Sequence, residues 1–261
     1  MTDRFEIFAR DLVAAHRERA RFRSFSAEYG IRNLDDAYDA QEALTALRMG
    51  TAGDRSVGYK IGLTSLRMQE MCGIPHPIAG TVLAGGVRES GARLDPAQYG
   101  RLGIEFEIAV RLGHDLPLQA RPYEMAEISA AVDAVAPAIE IIDDRNADYA
   151  SLDPLSLVAD NSWNAGIVLG PFSRNWPDLP SLAGTVLGDG KAFDQGTGAD
   201  VLGHPFAPLA WLANHLATRG AGLTAGDIVM TGSIVTTKFP AAGETYRFEL
   251  AGLGAVEAAI G

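Results

Sequence analysis

The feature that most constrains this chain is a strand pattern interrupted by acids: Gly103-Ile104-Glu105-Phe106-Glu107-Ile108-Ala109-Val110. Alternation with period two marks a β-strand, so Glu105 and Glu107 project from one face. Their Cα atoms stand about 6.6 Å apart at a rise of ~3.3 Å per residue. Two carboxylates brought to ~5 Å repel by roughly 3 kcal/mol at an effective dielectric near 20. A fold that holds them together must relieve that repulsion with solvent, a shared proton, a basic partner or a divalent cation. Taken alone, the stretch is equally compatible with the solvated outer face of an amphipathic strand.

A second acid-bearing strand narrows the choice. Ala138-Ile139-Glu140-Ile141-Ile142 sets Glu140 among isoleucines, where an unpaired buried carboxylate is costly. Three strand-borne acids are best explained by one hard cation, with three unrelated edge-strand acids as the alternative. Oxygen ligands without Cys or His point to Mg2+ or Mn2+, with water filling open positions.

Lys60 lies between Gly58 and Gly62, in Val57-Gly58-Tyr59-Lys60-Ile61-Gly62. Glycine admits close approach of a ligand or of another backbone, and a partly buried lysine binds anions or acts as an acid. An ordinary exposed strand lysine is the competing reading. His76, between Pro75 and Pro77, and His114, after Gly113, are candidate general acids or bases, although loop histidines are more often structural or exposed. Ser162 lacks a Ser–His–Asp setting, and no Gly-x-Ser-x-Gly elbow exists, which disfavours a serine hydrolase. Nucleotide-binding glycine motifs are missing as well.

Helical periodicity covers residues 4–20 and 34–49, with Asn33 as an N-cap and Gly50 as the stop of the second helix. This makes residues 1–55 a helical lead-in to one catalytic unit, 56–261. Beyond it, glycine-divided strands are expected at 57–65, 103–112 and 138–145, in a hairpin over 184–198, and at 227–231, 244–250 and 254–260; residues 72–83 read as a loop feeding a strand, and 160–170 as a polar turn that becomes a buried strand. Helices are expected from Pro122 to about 135 and over 205–219, with a polar loop or short helix at 146–160. Regular strand–helix alternation is missing, so the pattern predicts α+β with a curled, mostly antiparallel mixed sheet or barrel rather than a doubly wound fold.

A net charge of −11 and pI of about 4.9 argue against a nucleic-acid or anionic-membrane surface. Cys72 is the only cysteine, which leaves no intrachain disulfide and no thiolate cluster and suits a reducing compartment. The opening Met1-Thr2-Asp3-Arg4-Phe5-Glu6 is charged without an apolar signal core, and no apolar run is long enough for a membrane span. The expected location is the cytoplasm.

Read in order, Gly58-Tyr59-Lys60-Ile61-Gly62-Leu63-Thr64-Ser65, Ile104-Glu105-Phe106-Glu107, Pro137-Ala138-Ile139-Glu140-Ile141, Asp160-Asn161-Ser162 and Gly252-Leu253-Gly254-x-Val256 resemble the 2-keto-4-pentenoate hydratase / 4-oxalocrotonate decarboxylase family of the fumarylacetoacetase-like superfamily. The resemblance spans about residues 55–260. It implies a curled mixed-β fold, a divalent metal on Glu105, Glu107 and Glu140, and a 2-oxo-acid substrate that chelates it. It also implies active-site roles for Lys60 and Ser162, a substrate pocket lined at Lys60, Ser162, Thr231 and Ser233, and a homo-oligomer. The implied activity is hydration of a 2-hydroxy-2,4-dienoate to a 4-hydroxy-2-oxo acid, as in aromatic meta-cleavage catabolism. Decarboxylation of a 2-oxo-3-enedioate, acylpyruvate-type C–C hydrolysis and a non-catalytic partner subunit are the alternatives. One departure stands out. Hydratases of this family often carry Pro-Asp-Phe-Gly after the lysine strand, where this chain has Pro77-Ile78-Ala79-Gly80. His76 is the neighbour that could move the proton in place of the absent acid.

Overall fold

The computed structural model describes residues 3–261. Two helices come first, α1 (Arg4–Arg17) and α2 (Leu34–Ala52). Asn33 caps α2 by accepting from the Asp36 N–H, and Asp35 and Asp36 sit in its positively polarised first turn. The helix does not stop at Gly50. It ends at Gly53, whose φ of +61° lets its N–H turn back to the Met49 carbonyl, because a glycine closes a helix only where the backbone turns left-handed.

The chain continues through β1 (Ser56–Gly62), α3 (Leu66–Cys72), β2 (Ile78–Leu83), β3 (Val87–Glu89), β4 (Ala92–Leu94), β5 (Leu102–Leu112), α4 (Met125–Ala131) and β6 (Val132–Asp143). It then forms α5 (Pro154–Ala159), β7 (Asn164–Leu169), β8 (Ala183–Gly188), β9 (Lys191–Thr197), α6 (Phe206–Thr218), β10 (Ile228–Ser233), β11 (Thr245–Leu250) and β12 (Gly254–Ile260). The helix expected from Pro122 to about 135 is confined to α4. Residues 132–136 are extended because they pair along β5, with Val132 opposite Leu112 and Ala136 opposite Ala109; pairing overrides the local helical pattern.

The strands make two mixed sheets, in the orders β2-β1-β10-β5-β6-β7-β3 and β4-β12-β11-β8-β9. This is the expected α+β architecture. Among the described residues, both sheets are open rather than closed into a barrel by backbone pairing. The larger sheet nevertheless curls until β2 lies against β7, five places away in strand order. Its inner face carries a small apolar plug of Val82, Ala109, Ala138, Ile167 and Met230. The main core, running from Phe5 to Ile260, joins the N-terminal helices to both sheets.

Side chains close what backbone pairing leaves open. The Asn161 amide accepts from the Thr81 N–H at 2.7 Å and donates to the Thr81 carbonyl at 2.9 Å, as a neighbouring strand would. The Ala79 N–H donates to the Tyr38 hydroxyl, and the Ala79 carbonyl accepts from Gln41 and Ser162. An exposed sheet edge is thereby covered. The closure is strained: Asn161, Ser162 and Trp163 have φ of 50°, 49° and 61°, and each left-handed non-glycine residue costs roughly 1–2 kcal/mol.

Asn161→Ala removes both bonds to Thr81 and the residue type best suited to this turn. It should lower unfolding free energy by about 2–4 kcal/mol in urea or guanidinium titrations. A loss below about 1 kcal/mol would show that the amide does not hold the curl.

Candidate metal centre and active site

Sheet register builds the site. Glu105 on β5 stands directly opposite Glu140 on β6, and Glu107 lies two residues farther along the same face. Like charges in directly opposed positions destabilise a sheet. Glu107 and Glu140 are fully buried while Glu105 is partly exposed. One carboxylate oxygen from each lies within 4.8 Å of the others.

Part of the repulsion is relieved by neighbours. The Gly232 N–H donates to Glu107 Oε2 at 2.8 Å, and Asn164 Nδ2 donates to Glu140 Oε1 at 2.9 Å. Lys60 Nζ stands 3.3 Å from that same Glu140 oxygen, and the Thr237 hydroxyl donates to Glu105. Glu107 Oε1 and Glu140 Oε2 are buried with no hydrogen-bond partner. Buried polar atoms are normally satisfied. Two such oxygens on adjacent strands, beside a third carboxylate, suit a hard divalent cation that takes oxygen ligands. Charge agrees: three carboxylates and one ammonium sum to −2, which a divalent cation cancels.

The electrostatics follow from burial. Burial, then the charges of Glu140 and Glu105, hold Glu107 well above the usual carboxylate range, against the pull of Lys60 and the Gly232 N–H. Burial lifts Glu140 to about 7, with Lys60 and Asn164 opposing it and Glu105 assisting. For Lys60, burial disfavours the charge, but Glu140, Glu105 and Glu107 outweigh it and keep the ammonium protonated.

Both glycines beside the lysine have work to do. Gly58 has φ +144°, and a Cβ there would fall 1.8 Å from the Ile228 carbonyl oxygen of the parallel strand β10. At Gly62 a Cβ would sit 3.5 Å from Lys60 Nζ and 3.3 Å from Ile78, so its absence leaves room for the ammonium.

Among the other residues singled out from sequence, Ser162 lies in the strained turn. The carbonyl of Asn161 in that turn abuts Gly80, the strand partner of Lys60. The hydroxyl of Thr231 donates to the Ile108 carbonyl, and that of Ser233 bonds the backbone of Phe106. In the Thr231-Gly232-Ser233 turn it is therefore the amide of Gly232 that touches a carboxylate. His76 stacks on Trp211 at 5.8 Å and faces the Pro77 carbonyl at 2.7 Å. His114 is exposed just beyond the end of β5, about 23 Å along the strand direction from Glu107. Asn164, Thr237 and the Gly232 N–H were not singled out from sequence. Their roles depend on where the curl and the 236–239 loop bring them, and a lone amide or hydroxyl carries no spacing signal.

A model of the fumarylacetoacetate (FAA) hydrolase C-terminal family matches residues 87–261. The chain belongs to this family. It is 36% identical over 224 residues to a 2-keto-4-pentenoate hydratase of Burkholderia vietnamiensis, covering 85% of this chain and 84% of that one. It is 34% identical over 239 residues to a 4-oxalocrotonate decarboxylase of Pseudomonas putida, covering 88% and 87%. A solved structure of 4-oxalocrotonate decarboxylase from Pseudomonas putida G7, complexed with magnesium and adipate, superposes with a TM-score of 0.92 at 30% identity over 100% of this chain and 98% of that one. Among the described residues of this family member, no helix is long and apolar enough to cross a membrane.

The site predicts an unusual stability profile. A carboxyl raised from 4.5 to about 7 binds its proton more tightly when folded, so its contribution is fully present below pH 4.5 and is lost between 4.5 and about 7. Metal-depleted protein should therefore lose thermal stability as pH rises through that window, and Mg2+ should restore it above pH 7. At pH 8, Glu107→Gln should raise the unfolding temperature of metal-depleted protein and abolish most of the Mg2+-induced increase. A variant that still gained the full Mg2+ shift would remove Glu107 from the cation site.

Proposed function

We propose that this protein is a metal-dependent hydro-lyase that adds water to a 2-hydroxy-2,4-dienoate or its 2-oxo-enoate tautomer, yielding a 4-hydroxy-2-oxo acid, as in aromatic meta-cleavage catabolism. The observation that carries the reading is the buried Glu105–Glu107–Glu140 cluster with two unsatisfied oxygens and Lys60 at its edge. Relatedness to a hydratase over most of both chains supports it.

Mg2+ or Mn2+ held by the three glutamates supplies Lewis-acid stabilisation of the negative charge that develops on the oxygen of a 2-oxo acid. Lys60 is held protonated by the same carboxylates and is suited to two tasks: neutralising the substrate carboxylate, and delivering a proton to carbon. Protonation of the dienol at C5 gives the 2-oxo-3-enoate; the oxygen of water then bonds to C4 while a proton is placed on C3. Ser162, Thr231 and Ser233 are assigned to the pocket wall. The turn holding Ser162 presses on the strand partner of Lys60, and Thr231 and Ser233 flank the amide that holds Glu107. His76 is kept as a candidate proton carrier on the β2 side.

A second reading, decarboxylation of a 2-oxo-3-enedioate, is favoured by the full-length likeness to 4-oxalocrotonate decarboxylase. It uses the same stabilised enolate, with loss of CO2 in place of water addition. We place the enzyme in the cytoplasm as a homo-oligomer, and treat residues 1–55 as a helical lead-in to the catalytic unit 56–261. The acidic composition and the single, buried cysteine support the location.

With Mg2+ present, loss of dienoate absorbance without CO2 is the expected result, whereas CO2 release would replace hydration by the second reading. Lys60→Met should lower kcat/KM by roughly 10²–10³-fold. Glu105→Gln should lower both activity and Mg2+ affinity. Full activity in both variants would rule the mechanism out.

A further inference from the structure

The N-terminal helix α1 reaches the catalytic unit through a buried carboxylate that the mechanism above does not use. Asp160 accepts from His16 Nε2 at 2.6 Å on one oxygen and from the Arg145 guanidinium on the other. An ionised carboxylate only accepts, so the imidazole carries its hydrogen on Nε2. Burial works against the charge on Asp160, but His16 and then Arg145 outweigh it and hold the carboxyl below its usual range. Arg145 is itself tied to the segment that follows α1. Its Nη1 donates to the Ala20 carbonyl at 3.2 Å, and its own carbonyl accepts from the Phe22 N–H at 2.8 Å.

Asp160 opens the left-handed run Asn161-Ser162-Trp163, and its carbonyl accepts from the Trp163 N–H at 2.9 Å. Its side chain makes no cap bond to that turn and is directed instead to His16 and Arg145. The run is thus pinned at Asp160 by two donors and at Asn161 by the Thr81 backbone. Phe22 and Tyr149 meet the Trp163 ring edge-on. Non-glycine residues persist in strained conformations only where their surroundings over-determine them.

The turn delivers the next residue, Asn164, to the glutamate site. Asn164 Nδ2 donates to Glu140 Oε1 at 2.9 Å, and the same oxygen faces Lys60 Nζ at 3.3 Å. Two donors on Oε1 fix the orientation of the carboxylate and leave Oε2, buried and without a hydrogen-bond partner, as the oxygen presented to a cation. Groups that hold a metal ligand in this way typically cost roughly 10–100-fold in affinity or activity when removed.

We infer that His16 is a positioning residue of the active site: through Asp160 it holds the turn that aims Asn164 at Glu140, which makes α1 part of the catalytic apparatus. The inference rests on the function proposed above for its effect on turnover, whereas its effect on the cation site stands apart from the reaction. Without the Nε2 donor, Asp160 keeps Arg145 alone, and one of its two buried oxygens loses its partner.

The test compares His16→Ala, His16→Asn and His16→Gln in the full-length protein, by calorimetric titration with Mn2+ alone and by turnover of the dienoate with Mg2+. A glutamine amide can place its nitrogen where the imidazole has Nε2, and asparagine is one carbon short. His16→Ala and His16→Asn should each weaken Mn2+ binding about fivefold and lower kcat about 10-fold, with KM within about twofold of the wild type. His16→Gln should restore both quantities to within about twofold. Phe8→Leu loosens the packing of the same helix against Phe25 and Tyr29 but leaves the His16 side chain in place, so it should bind Mn2+ as the wild type does even where it unfolds at as low a temperature as His16→Ala. Wild-type Mn2+ affinity in His16→Ala and His16→Asn, losses that His16→Gln does not restore, or an equal loss in Phe8→Leu overturns the inference. If His16→Ala does not fold, the comparison of His16→Asn with His16→Gln decides. Failure of the wild type to turn over either proposed substrate removes the proposed function, and Mn2+ affinity then decides the inference by itself.

Discussion

Repulsion among three carboxylates, two of them fully buried, is the constraint around which the rest of this molecule is arranged. A buried, uncompensated charge costs several kcal/mol against a net stability of only about 5–15 kcal/mol for a whole domain. The apolar strands β5 and β6 would not hold Glu105 opposite Glu140 unless something recovered that cost. Lys60, Asn164, Thr237 and the Gly232 N–H recover part of it, and they arrive from four different segments of the chain. The remainder is available to a proton or a cation, so ligand binding and folding stability are thermodynamically linked at this point.

Such a cluster has to be gathered on a concave surface, which explains the strained closure on the far side. Lys60 belongs to β1 and Glu140 to β6, three strands apart in sheet order, or roughly 14 Å across a flat sheet at ~4.8 Å per strand. Their 3.3 Å contact is made across the inside of the curl. The curl in turn brings β2 to β7, where the left-handed turn at Asn161-Ser162-Trp163 substitutes one amide for a strand partner. Strain at this turn and charge compression at the triad are two costs of one geometry, and strain of this kind concentrates at functional sites.

Much of this was readable in the sequence, and the legible parts share a cause. Period-two alternation gave the strands carrying Glu105, Glu107 and Glu140, because each strand is apolar enough that an acid stands out. Asn33 announced the start of α2 through a local hydrogen bond. Failures occurred where non-local pairing decided the outcome. Residues 132–136 look helical until β5 is there to pair with them, and Gly50 resembles a stop until the left-handed turn is found at Gly53. The short strands β3 and β4 exist only because β7 and β12 offer them edges. Of the glycines flanking Lys60, one serves a neighbouring backbone and the other the ammonium itself, a distinction no spacing could make.

The wall opposite the triad shows how composition can be set by charge balance. Ile78 pairs with Gly62 and Gly80 pairs with Lys60, so the side chain at 78 belongs to the face of the sheet that carries the lysine. An acid there would be a fourth carboxylate beside one ammonium. With a divalent cation on the triad the sum would be −1 in a buried pocket; with Ile78 it is zero. Uncompensated charge is what a buried site tolerates least. An apolar residue at 78 therefore keeps the pocket neutral, and in the proposed mechanism the proton for carbon comes from Lys60 or from His76 on this wall. Decarboxylation and hydration both draw on that proton, but only hydration must also strip one from water. The two proposed chemistries thus differ in whether a base operates in a pocket whose acid position is filled by isoleucine.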